Sequence, residues 1–190
     1  MMQDGDRCIV VVADGAGGSG SGDAAAEMVV QQIKSHYKAV HSADDWASLL
    51  GEIDQQIGSG ETTAVVVDLR PYGIAGASVG DSQAWLVEEG TVTDLTAAQT
   101  RKPLLGSGSA QPVGFTHQPL SGMLIAATDG VFDYAKQESI IELLVRCDFY
   151  EIPRRCVELV RLPSGELWDD TSIVVARNKP QQRTRQRFEI

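Results

Sequence analysis

The chain has 190 residues, 43% of them hydrophobic and 22% charged, values of a soluble globular protein with one core-forming domain and too little length for two independent catalytic domains. Sixteen Lys and Arg against 26 Asp and Glu give a formal net charge of −10, which argues against a continuous basic footprint for nucleic acid and directs attention to cation ligands. The longest apolar runs, 8–13 and 123–127, are too short to cross a bilayer, and the acidic start Met1-Met2-Gln3-Asp4-Gly5-Asp6 has no apolar signal core, so no membrane association and a cytoplasmic location are expected.

In chain order, a Val- and Ile-rich run at 8–13 reads as the first strand. A Gly- and Ser-rich loop follows, and Asp23 stands where an N-cap would open a helix over 23–40, with Ala26, Val29 or Val30, Ile33 and Tyr37 on one face. A second helix fits 44–57, where Trp46, Leu49, Leu50, Ile53 and Ile57 repeat at three and four. Strands are expected at 62–69, 73–79 and 83–87, and Glu88-Glu89-Gly90 reads as a hairpin turn into Thr91-Val92, giving a meander of at least three strands. After a loop, 123–127 reads as a strand, 137–147 (Ile140, Ile141, Leu144) and 152–162 (Cys156, Val157, Val160) as helices, and 171–176 as a last strand. Cys8, Cys147 and Cys156 lack CxxC spacing and are odd in number, which suits reduced thiols better than a disulfide framework or a zinc site.

Strands clustered in sequence favour antiparallel pairing, and helices in consecutive pairs favour antiparallel hairpins. The expected class is therefore α+β: a four-layer αββα sandwich of two antiparallel sheets, each covered by a helix pair. From Arg177 onward five bases (Arg177, Lys179, Arg183, Arg185, Arg187) face one acid, Glu189, so residues 1–176 read as the domain and 177–190 as a basic, solvated tail.

Three apolar runs meet acids at one end: 10–13 before Asp14-Gly15, 124–127 before Thr128-Asp129-Gly130, and Asp169-Asp170 before 171–175. A fourth junction is Val79-Gly80-Asp81-Ser82. A carboxylate at a strand end is costly to desolvate unless water, a hydrogen bond or a cation compensates it, so four such junctions suggest convergence on metal. Asp-Gly alone also marks ordinary turns.

The ordered set Asp14-Gly15-Ala16-Gly17-Gly18, Glu61-Thr62-Thr63, Gly80-Asp81-Ser82, Thr128-Asp129-Gly130 with Asp133, and Asp169-Asp170-Thr171 resembles the motifs of the metal-dependent, PP2C-type serine/threonine protein phosphatases, over about residues 8–176. The resemblance implies the αββα sandwich and a binuclear Mn²⁺ or Mg²⁺ centre at one end of it. It implies that Asp14 bridges the two ions with the Gly15 carbonyl on one of them, and that Asp129 and Asp170 hold the other. Asp81 and Asp133 match positions that bind a third ion or orient water. All these donors are oxygen, and none of His36, His41 or His117 falls in a motif, which favours hard cations over zinc. The nucleophile would be a metal-activated water, with no protein side chain in that role, and Ser82 reads as a turn residue.

The resemblance stops short of the family's usual N-terminal strand, which carries a phosphate-binding arginine and a further acidic ligand. Arg7, Asp4 and Asp6 have suitable chemistry, but no hairpin is expected before the strand at 8, and an extended run from Asp6 to Asp14 places Asp6 and Arg7 near the far end of the sheet. The phosphate-binding residue is therefore left unassigned. The segment between Leu95-Thr96 and Leu105-Gly106 is short, which predicts a minimal flap over the cleft. Two classes of function follow: a phosphatase acting on phosphoserine and phosphothreonine in proteins, including a serine/threonine kinase or its targets, or a catalytically weak phosphatase-fold binding module. A related phosphatase of an anti-sigma-factor antagonist is disfavoured by the Gly80-Asp81-Ser82 motif. A monomer is expected.

Overall fold

The computed structural model describes residues 1–17, 21–178 and 188–189. It opens with a hairpin that the sequence does not predict: β1 (Met2–Asp4) pairs antiparallel with β2 (Arg7–Val12) in the register Asp4↔Arg7. The expectation that no hairpin fits there is overturned because two residues suffice for the turn, and Gly5 takes the positive φ of +60° that leads it. Alternation along β2 is what builds the layers: Cys8, Val10 and Val12 enter one buried cluster, Ile9 and Val11 another on the opposite face.

After β3 (Gly15–Ala16), helix α1 runs Ser21–His36, followed by a 3-10 turn Tyr37–Ala39. Asp23 is the third residue of α1, inside its first turn, where its charge complements the helix N-terminus, and not at the capping position expected for it. The buried stripe is Gly22, Ala25, Val29 and Ile33, so the face is shifted one residue from Ala26 and resolves in favour of Val29; Val30 is exposed. Helix α2 (Ala43–Gln56) starts with a capping box in which Ser42 and Asp45 exchange side-chain to backbone bonds, and it buries Trp46, Leu49, Leu50 and Ile53.

The run expected as one strand over 62–69 divides at Thr63 into β4 (Glu61–Thr62), which pairs with β3, and β5 (Ala64–Arg70), which pairs with β2. Next come β6 (Gly73–Val79), β7 (Gln83–Glu88) and β8 (Thr91–Asp94). These three do not form the expected meander. β6 pairs with β5, while β7 pairs with β8 in the other sheet, so the chain changes sheets at Gly80-Asp81-Ser82. The hairpin at Glu89-Gly90 is present, with both residues at positive φ.

The remaining strands are β9 (Val113–His117), β10 (Met123–Ala127), β11 (Ile173–Asn178) and β12 (Phe188–Glu189), with helices α3 (Asp129–Phe132), α4 (Gln137–Arg146) and α5 (Ile152–Leu159) between β10 and β11. β9 is absent from the sequence reading: a five-residue edge strand of half-buried and exposed positions carries little apolar signal. β11 includes Arg177 and Asn178, which the charge pattern assigns to the tail; 179–187 and 190 lie outside the described residues.

One sheet has the order β1-β2-β5-β6-β9 and the other β12-β11-β10-β7-β8, with all pairings antiparallel. Three apolar layers hold them. Val10, Val65, Val67, Leu86, Leu124 and Ala126 fill the space between the sheets; Ile9, Val66 and Ala77 meet α1 and α2 through Ile33, Trp46 and Leu50; Ile125, Ala127 and Val175 meet α4 and α5 through Ile140, Leu144 and Cys156. The four-layer αββα architecture read from periodicity is the observed one. Cys8 and Cys156 are buried free thiols, each pushed up to about 11 by desolvation, and Cys147 is free and half-buried.

Candidate metal centre

Strand register sets the site. The C-terminal ends of β2, β6 and β10 and the N-terminal ends of β5, β7 and β11 coincide, through Val12↔Val65, Ala64↔Val79, Ala127↔Gln83 and Ala127↔Ile173. Asp14 leaves β2 there, Asp81 sits in the crossover from β6 to β7, Asp129 opens α3 after β10, and Asp170 precedes β11. Four acids separated by up to 156 positions are thus delivered to one end of the sandwich by the same sheets that bury the core.

Buried hydroxyls fix the backbone beneath them. The Thr63 hydroxyl accepts from the Asp14 amide at 3.1 Å and lies 2.6 Å from the Ser82 hydroxyl, while Thr62 donates its hydroxyl to the Asp14 carbonyl at 2.8 Å. Ser82 is fully buried in that contact, which makes it a tie between the Asp14 and Asp81 loops and removes it as a nucleophile. On the other sheet the Thr128 hydroxyl donates to the Asp170 carbonyl at 3.0 Å and accepts from the Ser172 amide at 3.1 Å. Gly130 closes this junction, since a Cβ there would lie 2.6 Å from the Asp170 carbonyl oxygen.

The acids feel one another. Burial first, then the charges of Asp129, Asp169, Asp170 and Asp81, push the Asp14 carboxyl up to about 6. Burial, then Asp81, Asp169 and Asp133, raise Asp129 as well. Asp169 is thereby part of the same field, although the sequence marks Asp170 as the ligand of the pair. Among the described residues, no group of three His, Cys, Asp or Glu stands close enough to form a ready-made cation cage. The donor chemistry nevertheless suits a hard divalent cation: the converging groups are carboxylates whose mutual repulsion a positive ion would relieve. Gly15 lies in β3 next to Asp14, opposite Thr62.

Asp81 and Asp133 are joined by a cation that the sequence gives no reason to single out. Arg101 donates to the Asp81 carboxylate through Nε at 3.2 Å and Nη2 at 3.1 Å, and its Nη2 is 3.6 Å from Asp133. Its guanidinium and the two acids line an open cavity of about 220 Å³ with Gly80, Thr96 and Gln99. The short segment after β8 is pinned from beneath: the buried Asp54 carboxylate of α2 accepts from the amides of Gly106, Gly108 and Ala110 at 2.7, 3.1 and 3.1 Å.

Arg7 stands elsewhere. It binds the buried Asp68 of β5 and, one residue before the Cys8↔Leu69 pair, stands at the far end of the sheet from Asp14, as the length of β2 requires. All three of its side-chain nitrogens are engaged there.

A sandwich of two antiparallel sheets between helix pairs, with acids gathered where the strands end, defines the metal-dependent phosphatase class of fold. No family model matches the chain. It is 30% identical over 138 residues to the serine/threonine phosphatase Stp of Listeria welshimeri, an alignment covering 63% of this chain and 54% of the relative, so the chain spans about half the length of the curated relative it matches. Among solved structures it is similar to the serine/threonine phosphatase Stp1 from Staphylococcus aureus (TM-score 0.76, 20% identity, 90% of this chain and 84% of that one). It is equally similar in fold to the catalytic domain of the serine/threonine protein phosphatase PstP in complex with two manganese ions (TM-score 0.74, 18% identity, 92% and 91%). The chain thus has the fold of the PP2C-type phosphatases, and the order of its acidic motifs is similar to theirs.

Proposed function

We propose that the chain is a metal-dependent phosphoprotein phosphatase acting on phosphoserine and phosphothreonine. The observation that carries this reading is the convergence of Asp14, Asp81, Asp129 and Asp170 at one end of the sandwich, with Asp14 pushed up to about 6 by burial and by its acidic neighbours. Asp14, the Gly15 carbonyl, Asp129 and Asp170 would hold two Mn²⁺ or Mg²⁺ ions, and Asp81 with Asp133 a third. Bound ions would supply Lewis acidity and a nucleophile at neutral pH. The chain's own contribution is to hold four carboxylates on hydroxyl-tied loops, Thr62, Thr63 and Ser82 under Asp14 and Asp81 and Thr128 under Asp170.

A cleft built this way leaves substrate contact to groups at its rim. Arg101 is exposed there and already faces two acids, so a phosphate that displaced those acids would find a guanidinium in place. That Arg7 is committed to Asp68 favours the alternative of a weak, phosphatase-fold binding module only if Arg101 does nothing for phosphate.

The deciding experiment is hydrolysis of an aryl phosphate and of a phosphothreonine peptide with Mn²⁺, with Mg²⁺ and with a chelator. Turnover that needs the divalent ion is expected for both substrates. A folded sample without turnover under any of these conditions would establish the binding module instead.

A further inference from the structure

Two aromatic side chains next to the acids are left in solvent. Tyr134 follows Asp133 and Trp168 precedes Asp169; they are 46% and 63% exposed, and their rings stack at 5.8 Å between centroids with 5° between planes. Each is on a separate segment, one after α3 and one before β11, and the two segments are clamped together by the Thr128 bonds to Asp170 and Ser172 and by the close seat of Gly130 on the Asp170 carbonyl. The pair is therefore a fixed feature of the cleft rim, and large apolar faces held open beside a reactive site are where partners bind.

Charge says which partner. Asp133 and Asp169 adjoin the two rings in sequence, Glu166 is exposed two residues before Trp168, and the whole chain carries −10. Asp169 and Glu166 are outside the set Asp14, Asp129 and Asp170 that would hold a cation. An aromatic face attracts a guanidinium or ammonium through its quadrupole, and neighbouring carboxylates add to that attraction while repelling an acidic segment.

We propose that the stacked Tyr134 and Trp168, flanked by Asp169 and Glu166, form a docking platform for a protein substrate segment that carries Arg or Lys beside its phosphorylated residue. The platform rests on the phosphatase reading and narrows it to basic-flanked sites.

The test uses two phosphothreonine peptides that differ only in having Arg or Glu on both sides of the phosphoresidue. With Mn²⁺ present, the Arg-flanked peptide should be preferred about fivefold or more in kcat/KM, the scale of a cation over an aromatic face. Trp168→Ala should reduce the preference to within about twofold through KM, and Trp168→Phe should restore it, as a ring face requires. Equal use of the two peptides by the parent protein, or a preference that survives Trp168→Ala, overturns the platform. A second readout needs no turnover: with chelator present, the unphosphorylated peptides are titrated against tryptophan emission, which Trp168 reports because Trp46 and Trp85 are buried. Tighter binding of the Arg peptide, lost in Tyr134→Ala, sustains the platform even if aryl phosphate is not hydrolysed and the phosphatase reading fails; no difference between the peptides overturns it.

Discussion

Arg7 and Asp68 meet through two parallel hydrogen bonds, Nε to Oδ1 at 2.9 Å and Nη2 to Oδ2 at 2.7 Å, at the end of the sandwich opposite the acids. Asp68 is fully buried and also accepts from Arg70 at 2.6 Å and from the Trp46 indole at 3.1 Å, while Arg7 and Arg70 reach the carbonyls of Tyr37, Val40 and His41. One carboxylate thus fastens β2 and β5 to the connection between α1 and α2. Removing Arg7 leaves Asp68 partly compensated by Arg70 and Trp46, so Arg7→Ala should cost about 1–3 kcal/mol in denaturant unfolding. Mn²⁺ affinity should stay within about twofold of the parent, since divalent cations are not expected at this end. A hundredfold loss of turnover in Arg7→Ala, with stability retained, would show that the residue reaches the cleft.

The same cluster sets an acid limit. Burial alone would raise the Asp68 carboxyl, but the hydrogen bonds of Arg7 and Arg70 outweigh it and hold the pKa below the ordinary carboxylate value. A depressed folded pKa means stability that is fully present above the unfolded value, about 4, and is lost as pH falls through the folded one. Asp68→Asn should be less stable at pH 7, and below about pH 4 its unfolding free energy should fall less steeply than the parent's. Parallel acid limbs in the two proteins would show that Asp68 does not govern the transition.

How much of this was legible follows from where each signal sits. The layers were, because β2 and β5 are short, continuous Val-rich runs buried on both faces and the two outer helix pairs carry period-3.6 apolar patterns that name their own faces. The convergence of Asp14, Asp81, Asp129 and Asp170 was also legible, since each acid lies within two positions of the end of an apolar run. Asp68 was not: it stands inside the run 65–69, and the partners that pay its desolvation lie 22 and 61 positions away in Trp46 and Arg7. Thr63 and Ser82 looked like strand and turn residues, because a hydroxyl bridge between two loops leaves no local pattern. The change of sheet at Gly80 was hidden for a similar reason, as adjacent strands in sequence pair in most folds.

Asp14→Asn keeps the shape of the side chain and removes one charge from the field of Asp129, Asp169, Asp170 and Asp81. In chelator the variant should melt at a higher temperature than the parent, because burial and like-charge repulsion both disfavour the ionised group. Mn²⁺ affinity by calorimetry should fall by about tenfold or more. Unchanged binding would make Asp14 a turn residue and remove the basis of the metal centre. Asp45→Asn, in the capping box of α2, is the control for a charge change away from the cleft and should lower stability with no effect on Mn²⁺.

Gly80 makes the sheet change possible. Its φ is +100°, and a Cβ would fall 2.7 Å from Cγ2 and 2.9 Å from Cβ of the buried Thr63. Gly80→Ala should therefore cost more than about 1 kcal/mol and disturb the Thr63–Ser82 contact beside Asp81. Equal stability of variant and parent would mean that the crossover relaxes freely.

Arg101 answers a question about cations with its own charge. Its guanidinium faces Asp81 at 3.1 Å and Asp133 at 3.6 Å, so a divalent ion that sought these two acids would compete with it. The arginine side chain is 69% exposed, which places the pair in the class of weak surface interactions; Arg101→Ala should change unfolding free energy by less than about 1 kcal/mol. Freeing two carboxylates should instead be read in metal titration, as Mn²⁺ binding about two- to fivefold tighter at the weakest site, or as one further ion bound. Arg101→Lys, which keeps the charge but loses the forked geometry toward Asp81, should fall between the two. If Mn²⁺ binding is unchanged in Arg101→Ala while inhibition by inorganic phosphate weakens, the residue serves the substrate phosphate and the two acids merely hold it in place.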